Sequence, residues 1–252
     1  MSIIKQVCEQ LWLIEVRLDD FDVRGALVAG AERAVVWDTL SHPAEMEPVG
    51  PLIGDRELIA VYSHADWDHA WGTAGLRFAG KPIIGQATAL ARFAGDVPAT
   101  LARKRAAEPA RWEAVRLIPP NVTFQRELTL DLGGLPLSLH SLAGHTPDSI
   151  VGFLPEQGIL LAGDTMETPF PVTYEDSPLD EWMAGLERWE RDSRVQTVIP
   201  AHGPIGGRDL IQRNLDYLRR IRAGGDFDLP AGLNAFYREA HRRNVRHRKT
   251  AP

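Results

Sequence analysis

The chain has 252 residues, of which 44% are hydrophobic and 25% charged, and its formal net charge is -6. That composition excludes a disordered or membrane-embedded protein, and the acidic balance argues against non-specific binding to nucleic acid. The single cysteine, Cys8, excludes an intrachain disulfide and fits a reducing compartment.

The N-terminus, MSIIKQVCEQLW, lacks the basic start and long apolar core of a signal peptide. No run approaches the roughly 18 apolar residues of a membrane span. The expectation is a soluble, cytoplasmic protein, with one large domain over residues 1–252. Short, apolar, turn-bounded strands are predicted at 11–16 (LWLIEV), 25–30 (GALVAG) and 33–39 (RAVVWDT). A helix is predicted at 44–54. The apolar run LIAVY (58–62) then leads straight into SHADWDHAW (63–71), and KPIIGQ (81–86) reads as another strand. Residues 87–112 are rich in Ala and Arg and poor in strand formers, so they read as helix, with Pro98 and Pro109 expected to split it. This region, taken as 87–115, is expected to be either a helical cap over a cleft or a surface insertion.

Strands return at 128–132, 135–142, 149–154 and 158–164. Trp182, Leu186 and Trp189 recur at helical spacing and read as core packing. A strand at 195–203 and a helix at 208–222 follow. The region 237–252, YREAHRRNVRHRKTAP, is basic and contains His241 and His247. It reads as a solvated helix end or tail, with contact to a partner chain or an anionic ligand as the alternative. Runs of strands with helices between and after them indicate sheets packed together and covered by helices.

Four clusters of metal-binding side chains sit where apolar strands end. They are His64, Asp66, Asp68 and His69; His145 in AGHT; Asp164 in AGDT; and His202 in PAHG. Strand ends laid side by side put such loops on one rim, a usual place for an active site. Imidazole and carboxylate suit zinc, iron and manganese, and these side chains suffice for two metals sharing one carboxylate. A single histidine is more often structural than a ligand. Four clusters of suitable chemistry, each at a strand end, are much harder to reach by chance.

In this combination the chain resembles the metallo-β-lactamase superfamily, whose signature is His-x-His-x-Asp-His, then Gly-His, Gly-Asp and a last His-Gly. The resemblance runs over nearly the whole chain. It implies an α/β fold, the four-layer αββα sandwich: two mixed β-sheets face to face with helices on the outside and the metals at one edge. It implies that His64, position 66 and His145 hold a first metal, that Asp68, His69 and His202 hold a second, and that Asp164 bridges them. Asp38 matches a family aspartate that braces the metal loops from behind, with a plain turn residue as the alternative.

The reaction implied is hydrolysis. A metal-bridging hydroxide would cleave a small ester, thioester, lactone or related bond, with Asp68 orienting it or carrying a proton. The cofactors implied are two divalent ions per chain, zinc first, with iron or manganese as alternatives. The implied partner is a small-molecule substrate, with no nucleic acid and no membrane; a homo-oligomer stays open. Members of the family that cleave β-lactams through a thiol ligand carry Cys where this chain has Asp164, so β-lactam cleavage is not implied. Tyr174, in METPFPVTYED, is a candidate substrate contact, with an ordinary loop tyrosine as the alternative. His140 reads as structural, and Trp67 and Trp71 as packing beneath the metal loop.

Asp66 departs from the pattern, since the family usually has His there. Two divalent ions bring four positive charges; three carboxylates and a hydroxide bring four negative ones, so the formal sum is about zero rather than +1. Such a site should be a weaker Lewis acid and should favour harder ions. Two alternatives therefore stand beside the hydrolase: a di-iron oxidoreductase or oxygenase, as in flavodiiron relatives with Glu at the matching position, and a non-catalytic metal-binding protein. The chain lacks the flavodoxin domain those relatives normally carry.

Overall fold

A computed structural model describes residues 2–76, 78–224, 229 and 231–247. The chain divides into two units, Met1–Arg17 with Val23–Leu137 and Leu18–Asp22 with Ser138–Pro252.

The first unit is built on a seven-stranded sheet that runs in chain order: β1 (Ile3–Cys8), β2 (Leu11–Arg17), β3 (Asp22–Ala29), β4 (Arg33–Trp37), β5 (Glu57–Val61), β6 (Ile83–Gln86) and β7 (Val122–Phe124). β1–β2 and β3–β4 are antiparallel, and β4 to β7 run parallel. β4, β5 and β6 are buried along nearly their whole length, which is why they read as continuous apolar runs rather than alternating ones. Trp37 is in register with Val61. Asp38, directly after β4, and Ser63, the second residue after β5, therefore emerge as neighbours.

The helix predicted at 44–54 is instead three single turns, α1 (Pro43–Met46), a 3-10 turn (Glu47–Val49) and α2 (Gly50–Ile53). Pro48 and Pro51 each lack an N–H and restart the ladder. Met46, Val49 and Ile53 are buried. His42 caps α1: its Nδ1 accepts from the Ala44 N–H at 3.2 Å.

α3 (Trp67–Ala70) follows β5 and passes into a 3-10 turn, Trp71–Gly75. A Cβ at Gly72 would lie 1.8 Å from the Thr39 carbonyl oxygen, so only glycine lets this loop lie against the end of β4. The region predicted as helical forms α4 (Ala89–Ala94), α5 (Asp96–Ala107) and α6 (Pro109–Trp112). Pro98 does not split it. It sits in the first turn of α5, where backbone N–H groups have no helical partner to lose, and the break falls at Gly95. Val97, Leu101 and Trp112 are buried. β8 (Glu127–Asp131) closes the unit.

The second sheet has the order β12-β11-β10-β9-β8, with β9 (Pro136–Ser141), β10 (Ile150–Leu154), β11 (Ile159–Gly163) and β12 (Thr197–Pro200). β9, β10 and β11 are antiparallel, and β11 and β12 parallel. α7 (Leu179–Arg191) and α8 (Arg208–Ala223) follow β11 and β12. The predicted stripe is core: Trp182 and Leu186 join Phe153, Phe170, Leu215 and Leu218 in one cluster. α8 ends at Gly224, whose φ of 80° suits a left-handed cap.

α9 (Ala235–His247) corrects the reading of the basic C-terminal stretch as a solvated end. Tyr237, Ala240 and Asn244 are buried, while Arg238, Arg242 and Arg246 are exposed. Residues 248–252 of that stretch lie outside the described residues. Among the described residues, no helix is long and apolar enough to cross a membrane.

Candidate metal centre

Asp38 organises two of the four candidate residues of the first unit, His69 directly and His64 through Ser63. It has φ 57°, a left-handed conformation that aspartate tolerates better than most residues, and it is fully buried. Its Oδ1 accepts from the Ser63 N–H at 2.6 Å, and its Oδ2 accepts from the Ser63 hydroxyl at 2.7 Å and from His69 Nδ1 at 2.9 Å. The Ser63 proton is thus committed to Asp38, and the Ser63 oxygen receives His64 Nδ1 at 3.0 Å. Both imidazoles carry their proton on Nδ1 and present the Nε2 lone pair. His64 Nε2 lies 3.6 Å from Asp66 Oδ2, and His69 Nε2 lies 3.8 Å from Asp68 Oδ1. The His64 and His69 rings are 4.1 Å apart between centroids.

Asp66 has a second partner that sequence reasoning did not find. Arg92, on α4, places Nη2 2.6 Å from Asp66 Oδ1. Trp67 lies under Lys104 of α5, whose Nζ is 3.4 Å from the ring centroid. Trp71 is fully buried and packs edge-on against Trp112, in line with its expected packing role.

The second unit repeats the same logic. His145 Nδ1 donates to the Val172 carbonyl at 2.8 Å, and His202 Nδ1 to the Asp22 carbonyl at 2.8 Å. Both Nε2 atoms face Asp164, which divides its oxygens between them: Oδ2 is 3.6 Å from His145 and Oδ1 is 3.3 Å from His202. One carboxylate with an oxygen toward each of two imidazoles has the form of a bridge. The loop that orients His145 is held by α9. Asn244 donates to the Pro171 carbonyl at 2.8 Å and accepts from the Thr173 N–H at 2.9 Å, gripping both neighbours of Val172. Tyr174 packs on the His145 ring at 4.8 Å between centroids and keeps 38% of its exposure. His140 stacks edge-on against Trp189, the structural role expected of it.

Glu167 was also missed. It is buried, with a ligand-type oxygen within 4.8 Å of those of His145 and Asp164. Its oxygens accept from the Val172 N–H and the Tyr237 hydroxyl, each at 3.3 Å. Burial pushes its carboxyl up to about 7, the Asp164 charge adds to the shift, and His202 and His145 oppose it. A carboxyl raised in the fold stabilises the fold when protonated. In the metal-free protein this contribution is fully present below the ordinary value of 4.5 and is lost as pH rises through about 7. Its ceiling is about 3 kcal/mol. Glu167→Gln is expected to flatten the fall in urea midpoint between pH 5 and pH 8; an equal fall in both proteins would contradict this assignment.

The donor set fits a divalent metal. Imidazole nitrogens and carboxylate oxygens are the usual donors to zinc, and each histidine has its remote nitrogen fixed by an oxygen, the arrangement that orients metal-binding imidazoles.

Mixed sheets flanked by helices, with His/Asp clusters at strand ends, define an α/β protein able to hold metal. Residues 19–176 match the family model of the metallo-beta-lactamase superfamily, and the chain belongs to that superfamily. It is 27% identical over 188 residues to the type 2 metallo-beta-lactamase of Bacillus cereus, a match covering 73% of this chain and 66% of that enzyme. It is 27% identical over 216 residues to the acyl-coenzyme A thioesterase MBLAC2 of Gallus gallus, covering 74% of each. A metallo-beta-lactamase from Pontibacter korlensis superposes with a TM-score of 0.68 at 22% identity, over 87% of this chain and 99% of that one, which shows the fold.

Proposed function

We propose that this chain is a metal-dependent hydrolase in which His64, Asp66, Asp68, His69, His145, Asp164 and His202 together hold two divalent metal ions, zinc first. The observation that carries the reading is the common setting of the four histidines. Each has Nδ1 tied to an oxygen, and each turns Nε2 toward a carboxylate of the set. When bound, the ions supply Lewis acidity toward the substrate's electrophilic centre and make water more acidic.

The protein's own groups do the rest. Asp164, with one oxygen toward His145 and the other toward His202, would help to hold both ions. Asp68, only 5% exposed, is the carboxylate placed to orient the attacking water and take its proton. Asp38 and Ser63 hold the His64 and His69 rings, so the donors need no rearrangement during turnover. Tyr174, beside His145 and partly exposed, forms a wall against the acyl or leaving group.

We place the substrate among small acyl compounds, with thioesters first because of the similarity to the acyl-coenzyme A thioesterase. The test is hydrolysis of acyl thioesters, esters, lactones and phosphodiesters by protein loaded with zinc, iron(II) or manganese. The expected result is turnover of an acyl substrate that a chelator abolishes and added metal restores. Fully loaded protein that cleaves none of these would overturn the proposal.

A further inference from the structure

Asp66 stands where the family usually has a neutral imidazole, and a cation stands beside it. Arg92 Nη2 lies 2.6 Å from Asp66 Oδ1, and the two side chains keep only 19% and 10% of their exposure. The same guanidinium is held from behind by Asp96, with Nη2 at 2.7 Å and Nε at 3.3 Å. The other oxygen of Asp66, Oδ2, is the one 3.6 Å from His64 Nε2. One carboxylate thus has an oxygen committed to an arginine and an oxygen turned toward the metal-binding side.

We infer that Arg92 is a positioning residue for Asp66, and that the Asp66–Arg92 pair replaces a neutral histidine as a unit. This rests on the reading of Asp66 as a metal ligand. The carboxylate supplies the donor atom and the guanidinium cancels its charge. Arginine is suited to this because it stays charged in a protein and holds a carboxylate through a rigid planar fork. Asp96, the other carboxylate on Arg92, is 54% exposed and screened by water. Within the buried pair Arg92 therefore offsets Asp66 and moves the formal charge of the centre from about zero toward about +1, the value of a site with two carboxylates. The charge argument for harder ions then loses its force, and zinc is favoured again.

Position supports the same conclusion. α4 and α5 are fixed at successive residues of the motif by two cations, Arg92 on Asp66 and Lys104 on Trp67. The guanidinium is therefore held by the helical region and does not depend on Asp66 alone. A role for Arg92 in gripping an anionic substrate fits less well, because two carboxylates already flank it.

A double-mutant cycle read by zinc affinity tests the inference. Zinc dissociation constants and stoichiometries would be measured by competition with a chromophoric chelator for wild type, Asp66→His, Arg92→Ala and the double variant. A charge within about 4–6 Å shifts the proton affinity of a neighbour about ten-fold or more. Asp66→His alone leaves the guanidinium without its buried carboxylate, with only the half-exposed Asp96 beside it, so it should bind zinc at least about ten-fold more weakly than wild type. Adding Arg92→Ala should recover that loss, whereas in the wild-type background Arg92→Ala should give no such gain, because the positive charge removed is offset by a carboxylate no longer held in place. Asp66→Asn, the same size as aspartate, should show the same rescue and covers the case in which the histidine variant does not fold. Equal effects of Arg92→Ala in every background would overturn the inference. Wild-type protein that binds no zinc would instead remove the metal-ligand reading on which it rests.

Discussion

Asp164→Ala is expected to empty both metal positions and to lower kcat/KM by at least about 1000-fold, the scale on which groups that act as a unit fail. Asp164 has one oxygen toward His145 and the other toward His202. Its loss removes a donor from each ion and a charge that holds them near one another. Glu167 is close by but is held by the Val172 N–H and the Tyr237 hydroxyl, so it is not placed to substitute. Asp164→Asn, which keeps one good acceptor oxygen, should retain about one metal per chain. Metal analysis on dialysed proteins checks both. An alanine variant with the metal content of wild type would show that Asp164 does not bridge.

Asp38→Ala is expected to cost about 3 kcal/mol or more of stability and to weaken metal binding about 10- to 100-fold. The carboxylate is the acceptor for three buried donors: the Ser63 N–H, the Ser63 hydroxyl and His69 Nδ1–H. Each buried donor left without an acceptor costs about 1–3 kcal/mol. The metal effect is separate: without Asp38, neither the Ser63 hydroxyl nor the His69 ring has a fixed direction, and His64 loses its support through Ser63. Asp38→Asn separates the two effects. It keeps an acceptor for one donor but sets an amide N–H against another, so metal affinity should fall further than stability. Urea midpoints and zinc titrations measure both, and an Asp38→Ala protein with the wild-type midpoint would contradict this role.

The residues proposed to bind metal were legible because their chemistry conflicts with their surroundings: His64, His145, Asp164 and His202 each follow a run that should end in a plain turn. Asp38 was legible only through its match to a family aspartate, and its left-handed backbone was not legible at all. Arg92 could not be read. It is one of several arginines in an Ala- and Arg-rich stretch, and nothing local marks the one that reaches Asp66. Glu167 left a faint signal, an acid three residues past Asp164, but only burial distinguishes it from the exposed acids of the following loop. The buried face of α9 was hidden by its basic residues, because its buried stripe includes Asn244, whose polar side chain is satisfied by the tertiary fold. β1 escaped because its side chains are mostly exposed, so the usual apolar signal of a strand is weak there.

The most direct test of the central claim is the metal content of the wild-type protein after equilibrium dialysis against excess zinc. A centre built from these four histidines and three aspartates should hold about two zinc ions per chain. A content that never exceeds about one zinc ion per chain would contradict the two-metal centre.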